Sequence, residues 1–115
     1  MKEIKAYIRR DQLNKVVDAL ERAGVPGITI VEIHPVGYGY EPNYFGFQCE
    51  DAFRRYRHLS VVKIEVTCAD QDAERFVQII QDACHTGGSG DGRIFISDVA
   101  VAVRIRDSAR GQDAL

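Results

Sequence analysis

The chain switches between two hydrophobic periods in an order that few folds can satisfy. Lys2-Glu3-Ile4-Lys5-Ala6-Tyr7-Ile8-Arg9 alternates polar and apolar, the period of a half-buried strand. Leu13, Val16, Val17, Leu20 and Ala23 then recur at helical spacing, with Asp11 placed where an N-cap would sit and Gly24 where the helix would stop. Ile28-Thr29-Ile30-Val31-Glu32-Ile33 is β-branched and reads as a second strand. Val61-Val62-Lys63-Ile64-Glu65-Val66-Thr67 reads as a third. A second helix follows, capped by Asp70, with Ala73, Phe76, Val77, Ile79, Ile80 and Ala83 on its apolar side. Ile94-Phe95-Ile96 and a strand over 99–106 close the pattern, and residues 107–115 are expected to be a mobile tail.

Strand, helix, strand, long connection, strand, helix, glycine-rich loop and strand make the α+β, ferredoxin-like βαββαβ pattern: one antiparallel sheet with two helices on one face. Right-handed crossovers leave few other arrangements. The strands are too apolar for the uncovered face to meet water throughout, so an oligomer is expected. Residues 34–60 fit neither period. They hold Pro35, Pro42 and the aromatics Tyr38, Tyr40, Tyr44, Phe45, Phe47, Phe53 and Tyr56, and a connection of this length in a compact domain is usually functional or disordered.

Chemistry concentrates in the last quarter. Thr86-Gly87-Gly88-Ser89-Gly90-Asp91-Gly92 has four glycines in seven residues, and no Cβ blocks the approach of an anion to its amides. Arg93 follows directly. In Ala100-Val101-Ala102-Val103-Arg104-Ile105-Arg106, strand alternation would set Arg104 and Arg106 on one face, roughly 7 Å apart. A backbone nest with three arginines is a phosphate-binding arrangement, which favours nucleotide binding. A glycine after a helix is also an ordinary C-cap, and Asp91 an ordinary turn former. The loop follows a helix rather than opening one, so it is neither a Walker loop nor a Rossmann fingerprint.

Composition excludes several other classes. A chain of 115 residues is one domain with room for a core. With 15 basic and 17 acidic residues its net charge is −2, which argues against general nucleic-acid binding. No run approaches the ~20 apolar residues of a membrane span, and the N-terminal residues lack the apolar core of a signal peptide. Cys49, Cys68 and Cys84 are odd in number and widely spaced, so they form no disulfide framework, and a reducing cytoplasm is the simplest compartment. Cys68 and Cys84 read as buried thiols, and Cys49 as the one to suspect of reactivity. His34, His58 and His85, with Glu32, Cys49 and Glu50, raise a metal site, but none of the tight ligand spacings occurs and packing or surface histidines are the simpler reading.

Several segments together resemble the PII signal-transduction proteins, trimeric nucleotide-binding regulators of nitrogen metabolism. They are Thr86-Gly87-x-x-Gly90-Asp91-Gly92-Arg93-Ile94-Phe95, Asp98-Val99-Ala100, Arg104-Ile105-Arg106, Gly24-Val25-Pro26-Gly27-Ile28-Thr29 and Val62-Lys63-Ile64-Glu65. The resemblance spans nearly the whole domain. It implies a homotrimer with an adenine nucleotide (ADP, ATP or AMP) in each cleft between subunits. Ser89, Gly90, Asp91, Gly92 and Arg93 would hold phosphates, with Arg104 and Arg106 reaching in from the neighbour. Gly27, Ile28, Thr29, Glu65 and Thr67 of that neighbour would line the adenine end, and Gly37 and Tyr38 would lie against the nucleotide. Residues 36–60 match the family's T-loop, which docks on a target enzyme or membrane transporter and changes shape with ligand. Tyr40, Tyr44, Phe45, Phe47 and Phe53 would be its docking surface, or a satellite cluster packing the loop on the body.

Departures from the family pattern sharpen the expectation. The family's glutamine for magnesium and 2-oxoglutarate has no match in Gly37-Tyr38-Gly39-Tyr40, and its lysine at the far end of the loop corresponds to Val61. Cys49 stands where enteric members have their modified tyrosine. The chain is therefore expected to be a divergent PII-like branch that binds an adenine nucleotide, favours ADP or AMP, and lacks an anchor for 2-oxoglutarate. Whether magnesium takes part is left open. Such branches serve bicarbonate and metal transport systems among others. Two other classes stand beside this reading. One is a slow nucleotide phosphohydrolase with Asp91 positioning water, for which no triad or carboxylate pair is evident. The other is a metal-tolerance trimer of the CutA kind, a group without the Gly-Asp-Gly loop and arginine pair.

Overall fold

A computed structural model describes residues 1–35, 61–88 and 90–115. The strands are β1 (Lys2–Arg9), β2 (Thr29–Glu32), β3 (Val61–Cys68) and β4 (Arg93–Asp98), and the helices are α1 (Leu13–Arg22) and α2 (Asp70–Cys84). The sheet order is β2-β3-β1-β4, with every neighbouring pair antiparallel. This is the ferredoxin-like arrangement. β1 is central, and Ala6 faces Ile64 on one side and Ile94 on the other.

The alternation of β1 and β3 decides which side is dry. Ile4, Ala6 and Ile8 of β1, with Val62, Ile64 and Val66 of β3, are buried against Val16 and Leu20 of α1 and Phe76 and Ile80 of α2. Each of the valine, leucine and isoleucine side chains contributes about 1.5–3 kcal/mol by leaving water. α1 ends as its glycine requires. Gly24 has φ +80°, its N–H donates to the Glu21 carbonyl, and the Val25 N–H donates to that of Leu20. That pair of bonds is a Schellman cap. Arg75 of α2 seals the same terminus, donating from Nη1 to the Ala23 carbonyl at 2.7 Å while Nη2 pairs with Asp72 at 3.1 Å.

Both helix starts differ from expectation. Asp11 caps nothing: it lies in a 3₁₀ turn, Arg10–Gln12, and accepts a hydrogen bond from Arg9 at 3.2 Å. The tight turn supplies the lead-in to α1, whose N-cap Gln12 makes no side-chain bond. Asp70 is the first residue of α2 rather than its cap, and its carboxylate pairs with the Met1 amine at 2.8 Å. Asp70 and Asp72 in the first turn still suit the positive end of the helix dipole.

The larger correction concerns 99–106, which is not a strand. After Asp98 the Val99 N–H donates once more, to the Met1 carbonyl, and the chain then leaves the sheet. It forms an irregular hairpin with one bridge, Val103 to Arg110, and bonds from Arg104 N–H to the Ala109 carbonyl and from Gly111 N–H to that of Ala102. Among the described residues its alternation meets no partner strand, and Val101, Val103 and Ile105 are exposed, Ile105 at 97%. The expected tail is the returning arm of this hairpin and ends in a 3₁₀ turn, Gly111–Ala114.

The uncovered sheet face also differs. It carries Glu3, Lys5, Lys63 and Glu65, paired as Lys5–Glu3 at 3.6 Å and Lys63–Glu65 at 2.7 Å, with Tyr7 edge-on to Phe95 at 5.8 Å. Phe95 is the large exposed hydrophobic residue of that face; the others lie at the sheet edges on the helix side (Ile30, Ile96) and on the C-terminal hairpin. Phe76 is 1% exposed at the centre of the core. Phe76→Ala should therefore lower stability by about 3–5 kcal/mol, read from the denaturant midpoint and slope.

Candidate functional site

The glycine-rich loop joins α2 to β4, and its own aspartate holds its shape. The amides of Thr86 and Gly87 donate to Asp91 Oδ2 at 2.7 and 2.9 Å, and the Thr86 hydroxyl donates to Oδ1. The Gly88 N–H donates to Thr86 Oγ1 at 3.2 Å. Asp91 thus takes two amides expected to be open to a ligand. The Thr86 hydroxyl, followed by the backbone amides, holds the Asp91 carboxyl below its usual 3.8. His85 Nδ1 stands 3.9 Å from the same carboxylate.

Gly92 fixes where the loop meets the sheet. It has φ +105°, and a Cβ there would lie 2.0 Å from the Tyr7 carbonyl oxygen. No other L-residue fits without moving β1 or the loop. Asp91, Gly92 and Arg93 border a cavity of about 400 Å³ whose floor is Ile8, Val77, Ile80 and Ile94. Cys84 lies in its wall, with burial pushing its thiol up to about 11. Cys68 is buried as expected, and its thiol too is pushed up by burial.

A second cavity, of about 270 Å³, gathers Gly27, Thr29, Glu65 and Thr67 with Glu3, Pro26 and Leu115. Four of the five residues expected at an adenine end therefore come together. Ile28 does not join them; it packs against the core and borders a separate groove beside α1. β2 and β3 set the arrangement, with Thr29 directly opposite Glu65. Lys63 braces Glu65, and this hydrogen bond keeps the Lys63 amine above its ordinary pKa.

One copy does not unite the two cavities. The first reaches β1 at Ile8 and the second at Glu3. Five residues of strand separate them, roughly 16 Å. Arg104 and Arg106 lie on the C-terminal hairpin and converge on Asp107, not on a shared strand face. Arg104 donates from Nε and Nη2 to the two Asp107 oxygens at 2.9 and 2.7 Å, and Arg106 Nη2 stands 3.9 Å from Oδ2. Leu115 and Asp107 escaped the sequence reading. An acid three residues after an arginine was a visible cue to the second, but nothing local marks the first.

Among the described residues no group of three or more His, Cys, Asp or Glu side chains is placed to hold a metal. Gly37, Tyr38, Tyr40, Tyr44, Phe45, Phe47, Phe53 and Ser89 lie outside the described residues, as do His58, Cys49 and Glu50. No helix among the described residues is long and apolar enough to cross a membrane.

The family model for nitrogen regulatory protein P-II matches residues 1–109. The chain belongs to the P-II family. It is 40% identical to the nitrogen regulatory protein P-II of Azospirillum brasilense and 38% identical to that of Rhizobium meliloti, each over 100% of both chains. It is 38% identical to nitrogen regulatory protein P-II 1 of Methanothermobacter thermautotrophicus, over 100% of this chain and 97% of that one. P-II membership supports a signal-transduction regulator, and a trimer is consistent with it.

Two outcomes follow for the loop. Gly92→Ala should destabilise the fold by at least about 1–3 kcal/mol, the cost of the backbone conformation alone, measured by chemical unfolding. Because the folded Asp91 pKa is depressed, its contribution is present above 3.8 and fades as pH falls through the lower folded value. The Thr86 and Gly87 amide resonances should keep their native positions at pH 4 and shift only in stronger acid. In Asp91→Asn they should be displaced at every pH.

Proposed function

We propose that the chain is a P-II-type regulator that binds an adenine nucleotide in a cleft between copies and signals through residues 36–60 to a partner enzyme or transporter. The observation that carries this reading is the separation of the two cavities. One is polar, sized for a base, and built from Gly27, Thr29, Glu65 and Thr67. The other lies under the glycine-rich loop beside Arg93. Both sets reach one ligand when a neighbouring copy supplies the base end. The exposed Phe95, Ile96, Val101, Val103 and Ile105 provide apolar surface for that assembly.

In this reading the amides of Gly90 and Gly92 and the guanidinium of Arg93 take one side of the phosphates. Arg104 and Arg106 take the other. Thr86, Gly87 and Asp91 keep the loop in shape and leave the ligand alone. Val61 is buried and carries no charge for a third phosphate, which favours ADP or AMP over ATP. The same lack leaves 2-oxoglutarate without an anchor. No bond need be broken for such a signal.

Titration calorimetry with AMP, ADP and ATP tests the proposal. Saturable binding without phosphate release is expected, and Arg104→Ala should weaken it roughly ten- to hundredfold. Phosphate release at a comparable rate would support a hydrolase instead. Heat from divalent metal alone would support a metal-tolerance trimer. 2-Oxoglutarate should add no heat in the presence of Mg-ATP.

A further inference from the structure

We propose that Asp107 is the specificity-determining residue of the arginine pair: its carboxylate fills the guanidinium fork that a phosphate would enter, and so biases the site toward ligands of low anionic charge. The proposal rests on the reading of Arg104 and Arg106 as phosphate contacts. The Nε–Nη2 edge of Arg104 is one of the two edges from which arginine grips an oxyanion bidentately. Here both donors on that edge are spent on Asp107, at 2.9 and 2.7 Å. Arg106 stands 3.9 Å from the same carboxylate, so one acid answers two cations.

The turn holds the acid in place. Asp107 Oδ1 also accepts the Ala109 N–H at 3.2 Å, and the Ser108 N–H donates to the Arg104 carbonyl at 2.8 Å. Ser108 has φ +59°, a conformation that lets the chain double back beneath the pair. Asp113 adds a further negative charge near Arg104. The segment 104–113 thus sets three arginines against two aspartates.

Two consequences follow. A phosphate must either displace Asp107 or share the fork with it. Every further phosphate also meets the same fixed carboxylate, so the penalty rises from monophosphate to triphosphate. Arg104 and Asp107 are both partly exposed, at 36% and 42%, so water and salt soften the competition. The effect is therefore several-fold rather than a block.

The test is calorimetry with AMP, ADP and ATP on the full chain, its Asp107→Asn and Asp107→Ser variants, and Arg104→Ala as a reference. Asparagine keeps an acceptor for the Ala109 N–H while removing the charge, and serine does so with a shorter side chain. Both variants should bind more tightly than the parent, by roughly two- to threefold for AMP and five- to tenfold for ATP. A merely structural role would weaken all three ligands alike. Equal affinities in parent and variants, or a uniform loss, would overturn the proposal while Arg104→Ala still weakens binding. If the parent binds no nucleotide, or Arg104→Ala binds as the parent does, it is the nucleotide reading that fails. Wherever the asparagine variant folds poorly, the serine variant decides.

Discussion

The approach of Gly92 to the Tyr7 carbonyl fixes much of what surrounds the candidate phosphate loop. β1 is the central strand, and β4 is aligned along it from Tyr7–Arg93 to Lys2–Asp98. The glycine sits one residue before that ladder begins. With 2.0 Å between a hypothetical Cβ and the carbonyl oxygen, only glycine lets the loop enter the sheet along this path. Ile8, Ile94 and Arg93 border the cavity beside this entry point. Asp91 then closes the loop from within. A carboxylate one residue away takes the amides that a flexible glycine run would otherwise offer to water.

The rest of the molecule divides its polarity by strand parity. Ile4, Ala6 and Ile8 of β1 and the even-numbered positions of β3 enter the core. Glu3, Lys5, Lys63 and Glu65 at odd-numbered positions build a face of paired lysines and glutamates, and Glu3, Glu65 and Thr67 from that face enter the base-sized cavity. A single register therefore serves both stability and the site. A slip of one residue would bury Lys63 and Glu65 and expose Ile64 and Val66.

Wherever local period and burial agreed, the fold could be read from the residues. β1, β3 and α2 were legible because each has one continuous dry face. The alternation of Val101, Val103 and Ile105 misled, because a period of two reports a face to be covered and not what covers it. Among the described residues no strand pairs along this segment, and Asp107-Ser108 turns the backbone instead. The uncovered face was misjudged for a related reason. The residues that make it polar pair two apart along their own strands, Glu3 with Lys5 and Lys63 with Glu65, while the apolar residues that dominate those strands point to the core. Of the candidate site, Gly27, Thr29, Glu65 and Thr67 line one cavity. The family pattern that named them encodes a three-dimensional neighbourhood that spacing alone does not. Leu115 reaches that neighbourhood only through the hairpin, so no sequence window contains both.

Arg75 links the helix layer to the opposite side of the sheet. Its guanidinium lies over Phe76 at 4.7 Å and grips the last carbonyl of the α1 exit. Pro26 and Gly27 leave from that exit and form part of the rim beside Thr29. One guanidinium of α2 therefore anchors the segment from which two residues of the polar cavity's rim depart.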